Sequence, residues 1–129
     1  MFKSKVLFSI DNVNEVNALK MFLKYCDNAA VLGHIKPIQI CTGMWEGILE
    51  TSFLMDEDDF DKRVRGTPFV MNQEAFLHVS GDPRQPCDME DVASGEFTLL
   101  GPMVEVTYAE AIQAQGWTHR AGKYFVVKG

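Results

Sequence analysis

The stretch that decides the fold is Gly43-Met44-Trp45-Glu46-Gly47-Ile48-Leu49-Glu50-Thr51-Ser52-Phe53-Leu54-Met55, in which apolar side chains recur at alternate positions. This alternation predicts one long β-strand from Trp45 to Met55, preceded by a break or bulge at Thr42-Gly43. The better core face of that strand would carry Trp45, Gly47, Leu49, Thr51, Phe53 and Met55. The other face would carry Glu46, Ile48, Glu50, Ser52 and Leu54. Because Ile48 and Leu54 flank them, Glu50 and Ser52 are expected in a partly covered place.

Outward from this strand, strand-like and helical patterns follow each other without a regular β-α repeat. Further strands are predicted at Lys5–Ile10, in a β region that opens at Pro37, and at Ala75–Ser80, Cys87–Asp91, Glu96–Leu100 and Met103–Val106. Helices are predicted at Val13–Cys26, Asp56–Arg65 and Tyr108–Gln115, the first and last after capping-box patterns that begin at Asn12 and Thr107. A terminal hairpin is expected from Trp117–Arg120 and Lys123–Val127, joined by Ala121-Gly122.

Two substantial helices and many strands favour an α+β fold built on an antiparallel sheet. The expected architecture is a ferredoxin-like antiparallel sheet with two helices and an elaborated C-terminal half. The chain of 129 residues shows no internal repeat, linker or low-complexity segment. Residues 1–129 are therefore predicted to form a single domain.

Composition argues against several classes of protein. A net charge of −6 disfavours a nucleic-acid partner, because phosphates bind to basic surfaces. No apolar run is long enough to span a membrane, and the polar residues of Asp11–Asn14 cut the apolar N-terminal stretch too short for a signal peptide. Cys26, Cys41 and Cys87 lack metal-ligand spacing, which favours reduced packing cysteines. A cytoplasmic protein with neither nucleic-acid nor membrane partners is therefore expected.

Signatures of common catalytic machinery are missing from the sequence. The glycines of the opening stretch lack the Lys-Ser/Thr of a phosphate-binding loop, and no dinucleotide-binding pattern occurs. The three histidines, His34, His78 and His119, are isolated. The acidic cluster Asp56–Asp61 precedes basic residues in a short helix, and the helix dipole explains that order. The sequence therefore predicts neither a metal site nor a cofactor.

Polar groups embedded in apolar strands remain as candidates. Glu46 and Glu50 are four residues apart, near the limit for sharing one ligand, and Gln73 and Glu74 lead into the strand Ala75–Ser80. The aromatic residues that would complete a pocket are Trp45, Phe53, Trp117 and Tyr124. Such a pocket suits a cation, because carboxylates offset its charge and ring faces attract it. The alternative is that the glutamates are solvated strand positions and the rings belong to the core.

Three stretches carry a resemblance to a known family. Gly43–Ser52 is similar to a Gly-x-Tyr-x-Gly-x-x-Glu-x-Ser strand, Asn72–Leu77 to a Gln-Glu/Asp-x-x-Leu motif, and Leu100–Val106 to a Gly-x-x-x-Glu-Val ending. In this order and spacing they resemble the phage-encoded S-adenosylmethionine lyases, also called SAM hydrolases. Trp45 departs from the pattern, since the family has tyrosine there. If a phenol hydroxyl takes part in the chemistry, another group has to replace it.

The resemblance implies a homotrimer of ferredoxin-like subunits that binds S-adenosylmethionine between neighbours. It implies cleavage to 5′-methylthioadenosine and homoserine lactone by the substrate's own carboxylate, which would deplete S-adenosylmethionine in a host cell without metal or cofactor. Glu50 would be the catalytic residue. The substrate-binding residues would be Trp45, Ser52, Gln73 and Glu74.

Two other functions stay open at this point. One is a non-catalytic phage-type protein that binds a host enzyme and redirects it. The other is a regulator that binds S-adenosylmethionine or a nucleotide and leaves the ligand intact. Turnover of the ligand separates the lyase from both.

Overall fold

The computed structural model describes residues 4–82 and 84–127. Within these residues, the strands are β1 (Lys5–Phe8), β2 (Gln39–Trp45), β3 (Ile48–Asp56), β4 (Ala75–Val79), β5 (Asp88–Asp91), β6 (Phe97–Leu99), β7 (Met103–Val106), β8 (Trp117–Arg120) and β9 (Lys123–Val127). The helices are α1 (Val16–Val31), α2 (Glu57–Arg63) and α3 (Tyr108–Ala111). None of these helices combines the length and the apolar character needed to cross a membrane.

All described strands belong to one sheet, in the order β6-β5-β4-β1-β3-β2-β8-β9-β7, and each neighbouring pair is antiparallel. The two outermost strands, β6 and β7, are consecutive in the chain and are joined by Leu100-Gly101-Pro102. A flat sheet would put these edges about 38 Å apart at the usual strand spacing, whereas the link spans at most about 15 Å. The sheet therefore curls, which gives it a concave face.

The predicted ferredoxin-like sheet with two helices is wrong. The protein is mostly β, with a curled sheet of nine strands among the described residues and only small helices. The helix expected at Tyr108–Gln115 is α3, which ends at Ala111 after four residues. The short strands β5 to β9, expected as an elaboration outside the main sheet, belong to the common sheet. Pairing in that sheet satisfies their backbone hydrogen-bonding groups.

The opening stretch is a hairpin and not one long strand. Its turn is Glu46-Gly47, with φ of 49° and 81°, and Trp45 pairs with Ile48 across it. Two residues with positive φ form the type of turn whose twist matches that of the paired strands. The alternation of β3 is as predicted, but the turn reverses the chain and restarts the alternation. Trp45 therefore shares a face with Ile48 and Glu50, opposite to the predicted one.

The two faces of the sheet are covered differently. One face, called the helix face, carries the buried side chains of Val6, Phe8, Phe53, Met55 and Phe76. Phe22 and Cys26 of α1, Phe60 of α2 and Val64, which directly follows α2, pack on these residues and complete the main core. The opposite face, called the open face, carries Leu7, Glu50, Ser52, Thr118 and Phe125. A smaller apolar cluster around Val79, Cys87 and Met103 lies there.

The two predicted capping boxes have different outcomes. The box at Thr107 is confirmed, because its side chain accepts from the Glu110 backbone N–H and Glu110 accepts from the Thr107 backbone N–H, both at 3.2 Å. The box at Asn12 is wrong. α1 begins at Val16, and Asn12 instead has φ of 58° in a preceding turn. The terminal hairpin of β8 and β9 forms with the predicted bounds.

Candidate functional site

A cavity of about 600 Å³ opens on the open face. Residues of β1 to β5, β8 and β9 line it, so strands from both halves of the curled sheet contribute to its walls. The five residues predicted from the sequence, Trp45, Glu50, Ser52, Gln73 and Glu74, all lie in its lining. The volume is within the range of small-molecule binding sites, about 300–1,000 Å³.

The β2–β3 hairpin places three of the predicted residues in the cavity wall. Glu50 lies opposite Gly43 and Ser52 lies opposite Cys41, so both glutamate and serine point to the open face. The turn adds Trp45 to the same face, where the residue lines the cavity and is 49% exposed. Without that turn Trp45 and Glu50 would lie on opposite faces, and the cavity lining would lack the ring of Trp45.

Gln73 and Glu74 line the cavity from the segment that leads into β4. Asp11, which follows β1, holds this segment with both carboxylate oxygens. Its Oδ1 accepts from Gln73 Nε2 at 2.9 Å, and its Oδ2 accepts from the Asn72 backbone N–H at 3.0 Å. The amide of Gln73 is therefore fixed in orientation, with its carbonyl oxygen left as an acceptor.

The charges around the cavity are of one sign. Glu46, Glu50 and Glu74 contribute carboxylates, and no lysine or arginine is among the described lining residues. Within residues 4–82 and 84–127 these three carboxylates have no hydrogen bond or ion pair. Burial raises the pKa of Glu50 above its ordinary value, because the charged form loses hydration. A cationic ligand would offset the negative charge of these carboxylates.

Ser52 is the second unusual polar group of the cavity wall. Its Oγ is inaccessible to solvent and has no hydrogen-bond partner among the described residues. A buried hydroxyl without a partner destabilises the folded protein by about 1–3 kcal/mol. Native structures contain few such groups, and a bound ligand is one of the explanations for them.

The predicted aromatic box forms only in part. Trp45 and Trp117 line the cavity, and Phe125 joins them there. Phe53 is instead part of the main core on the helix face. Tyr124 packs on Trp117 and His119, with ring centroids 5.5 and 4.6 Å apart. Phe53 lies on the face of β3 opposite to Glu50, which the alternation of the strand already indicated. The position of Tyr124 depends on which strands become neighbours, and the sequence pattern did not fix this.

Sequence reasoning missed Asp11, Gly43 and Phe125 as parts of the site. Asp11 holds residues that are 61 and 62 positions away in the chain, a contact set by the β1–β4 pairing. Phe125 reaches the cavity because β9 pairs with β8 and β8 with β2. These are long-range relations, and the local pattern held no signal for them. Gly43 belonged to the quoted stretch but was assigned to a bulge.

A second charged cluster lies on the helix face. Arg65 donates to both carboxylate oxygens of Glu90 at 2.6 and 2.8 Å, and also to Asp61 at 2.9 Å. The ring of His78 lies between Glu57 and Glu90, with nitrogen–oxygen distances of 2.8 and 2.7 Å. The hydrogen bond from Arg65 lowers the pKa of Glu90, and the nearby His78 acts in the same direction. This group is called the ion-pair cluster.

No arrangement of three or more histidine, cysteine, aspartate and glutamate side chains in the described part of the chain is suited to hold a metal ion. Comparison of the chain with protein-family models, curated protein sequences and solved structures gives no match. The chemistry of the cavity is therefore the basis for a functional proposal.

Proposed function

We propose that the protein is an S-adenosylmethionine lyase. The observation that supports this is the single cavity that gathers Trp45, Glu50, Ser52, Gln73 and Glu74, with carboxylates that have no basic partner. S-adenosylmethionine carries a sulfonium and an ammonium against one carboxylate, so its net positive charge is complementary to this lining. Its adenine and ribose require the aromatic surface and hydrogen-bonding groups that a cavity of this kind offers.

The proposed reaction needs no protein nucleophile. A carboxylate oxygen of the substrate attacks the substrate's own Cγ, so that a C–O bond forms while the Cγ–S bond breaks. The electron pair of the broken bond neutralises the sulfonium and gives the thioether 5′-methylthioadenosine. The other product is homoserine lactone, which keeps its ammonium group. The protein contributes by holding the methionyl chain in the attacking conformation and by excluding water.

In this proposal Glu50 binds the ammonium end of the substrate. A partly desolvated carboxylate attracts a cation more strongly than one in bulk water. Gln73, held by Asp11, offers its carbonyl oxygen to a ribose hydroxyl, and Glu74 accepts from the same part of the ligand. The exposed ring of Trp45 stacks on the adenine or faces the sulfonium.

The test is incubation of the purified protein with S-adenosylmethionine without added metal, followed by chromatography. We expect 5′-methylthioadenosine and homoserine lactone as products. Glu50→Gln should lower kcat/KM at least about 100-fold, which corresponds to about 2.7 kcal/mol. The matched control is Glu96→Gln, which makes the same charge change at an exposed turn outside the cavity lining and should keep wild-type activity.

Intact S-adenosylmethionine after prolonged incubation with folded protein would contradict the lyase proposal. Ligand that binds but is recovered unchanged would favour the regulator instead. Equal activity in Glu50→Gln and Glu96→Gln would show that the reaction does not depend on the cavity carboxylate.

The proposal extends to the homotrimer implied by the family resemblance and to a cytoplasmic location. Support for the first is the exposed apolar group Trp45, Ile48 and Leu49 at the hairpin beside the cavity. Support for the second is that Cys26, Cys41 and Cys87 are buried free thiols, as is usual in reducing compartments. Sedimentation analysis tests the trimer, and a monomer that turns over substrate would contradict it.

A further inference from the structure

The cavity has an apolar end, to which the proposed function has so far assigned no part of the ligand. The side chains that line this apolar end are all partly exposed: Leu7, Leu77, Met89, Leu100, Phe125 and Val127. The carboxylates of Glu46, Glu50 and Glu74 come from other parts of the lining, namely the β2–β3 hairpin and the segment before β4. Charged and apolar groups are therefore separated within one cavity.

Two walls of the curled sheet form the apolar end. On one wall, Leu7, Leu77 and Met89 are successive cross-strand partners on β1, β4 and β5. On the other wall, Phe125 and Val127 occupy alternate positions of β9 and so point to the same face. Leu7 and Leu77 pack against the same buried cluster as the two β9 residues, so the curl brings the two walls together.

The apolar end lies well away from the carboxylate of Glu50. Glu50 and Leu54 are four residues apart on β3, which is about 13 Å along the strand. Leu54 is the cross-strand partner of Leu7 on β1. A ligand that contacts both Glu50 and the apolar end therefore carries its cation and its apolar group at opposite ends. S-adenosylmethionine meets this condition, because its ammonium and its adenine lie at opposite ends of the molecule.

Met89 is the residue of the apolar end best suited to contact an aromatic ring. Its thioether is flexible and polarizable, and sulfur packs favourably against aromatic rings. Within the described residues, its partner Leu77 packs against the buried cluster of this face, whereas Met89 does not. The side chain of Met89 is partly exposed and lines the cavity. Contact with a ligand would remove this apolar surface from water, which favours association.

We propose that the apolar end is the subsite for the adenine base, and that Met89 is a specificity-determining residue that contacts the ring. The base lies between the wall of Met89 and the wall of Phe125, while the ammonium stays at Glu50. This deepens the proposed function, on which it rests for the identity of the ligand, by placing the ligand lengthwise in the cavity.

The experiment uses the two products of the proposed reaction as probes, since each carries one end of the ligand. 5′-Methylthioadenosine has the base without a charge, and homoserine lactone has the ammonium without the base. Ligand-observed NMR titration gives both dissociation constants. Met89→Gln puts an amide at the apolar end with little change of shape. It should weaken methylthioadenosine binding about 5- to 10-fold and lactone binding less than about 2-fold.

Two further variants calibrate this result. Met21→Gln makes the same chemical change on α1, at a residue that is 65% exposed and outside the cavity lining, and should keep both wild-type dissociation constants. Glu50→Gln should give the reverse of the Met89→Gln pattern. We expect lactone binding to weaken at least about 5-fold and methylthioadenosine binding to change less than about 2-fold, because only the lactone is charged.

Phe125→Leu tests the opposite wall, in case the Met89 substitution disturbs the fold. It removes the ring but keeps the position apolar, and methylthioadenosine binding should weaken about 3-fold or more. If Met89→Gln and Phe125→Leu, both folded, bind methylthioadenosine as tightly as wild type, the adenine subsite is overturned. Wild-type protein that does not bind methylthioadenosine overturns it as well, and so does equal weakening of both probes in Met89→Gln.

Failure of the lyase proposal gives a different result. The protein would then leave S-adenosylmethionine uncleaved, whereas the titrations with the two probes need no turnover. Selective loss of methylthioadenosine binding in Met89→Gln would support the adenine subsite by itself, in a lyase or in a regulator that leaves its ligand intact.

Discussion

Two groups of carboxylates lie on opposite faces of the same sheet and differ in their partners. Glu90, on the helix face, is held by Arg65 and His78 in the ion-pair cluster. Glu50, on the open face, has no such partner within the described residues and borders the cavity. The pKa values shift in opposite directions, down for Glu90 and up for Glu50. Paired carboxylates of this kind support the fold, whereas an unpaired one in a cavity is available to a ligand.

The largest expected difference is in stability. Glu90→Gln should lower the free energy of unfolding by about 2 kcal/mol. It removes the negative charge that pairs with Arg65, and it leaves only one of the two oxygens that accept hydrogen bonds from the Arg65 guanidinium. Glu50→Gln makes the same chemical change on the other face and should alter that free energy by less than about 0.5 kcal/mol. Urea unfolding of both variants measures the difference. An equal loss of unfolding free energy in both variants would show that the carboxylates on the two faces do not differ in their contribution to stability.

The pH dependence of stability should also have opposite signs. The lowered pKa of Glu90 gives stability that is present above the ordinary glutamate pKa and is lost as the pH falls through the folded-state value. The raised pKa of Glu50 has the reverse effect. The folded protein keeps a proton that the unfolded chain has released, so stability falls as the pH rises through this window.

Urea midpoints of the wild type and the two Gln variants, measured from about pH 4 to about pH 8, isolate the contribution of each carboxylate to the pH dependence of stability. The gap between wild type and Glu90→Gln should narrow as the pH falls. Relative to wild type, Glu50→Gln should become more stable as the pH rises. Parallel curves for all three proteins would show that neither carboxylate titrates differently in the folded state.

Local sequence patterns predicted the elements of both regions but not how they come together. The strands β4 to β9 were located within one or two residues, because alternation and turn residues are local properties. The curled sheet was missed because strand order depends on long-range pairing. Glu46-Gly47 was missed as a turn because apolar alternation appeared to continue through it. That one reversal decided on which face Trp45 would lie.

The five residues that the sequence predicts for the site all line one cavity: Trp45, Glu50, Ser52, Gln73 and Glu74. Their roles toward a substrate remain predictions. The ion-pair cluster was not predicted, because Arg65 and Glu90 are 25 residues apart and meet only across the packed helix face. His78 was treated as an isolated residue for the same reason.

Asp11 is a third kind of carboxylate, and its substitution should have a smaller effect than that of Glu90 or Glu50. Unlike the cluster carboxylates, it has no cationic partner among the described residues and holds neutral donors of the cavity wall. Asn has only one acceptor oxygen, so Asp11→Asn should release either Gln73 or the Asn72 backbone. We expect KM for the cavity ligand to rise about 3- to 10-fold, equivalent to about 1 kcal/mol, with little change in kcat. Steady-state kinetics against Asp27→Asn, on the exposed side of α1, measures this.

A proportional fall in kcat would contradict a purely positioning role for Asp11. An unchanged KM would mean that Gln73 keeps its orientation without the carboxylate. In either case the free energy of unfolding should stay within about 1 kcal/mol of wild type, since the contacts are partly exposed.

Substitution of Glu46 should have the smallest effects, and it should change protein stability and ligand affinity in opposite directions. Its φ of 49° is a left-handed conformation that asparagine adopts more readily than glutamate. Glu46→Asn should therefore raise the free energy of unfolding by about 0.5 kcal/mol while it weakens cation binding about 2- to 3-fold, because one cavity carboxylate is lost. Gln at the same position removes the charge without relieving the backbone. Equal stability of the Asn and Gln variants would mean that the turn is unstrained, and equal affinity of both with wild type would exclude Glu46 from the binding site.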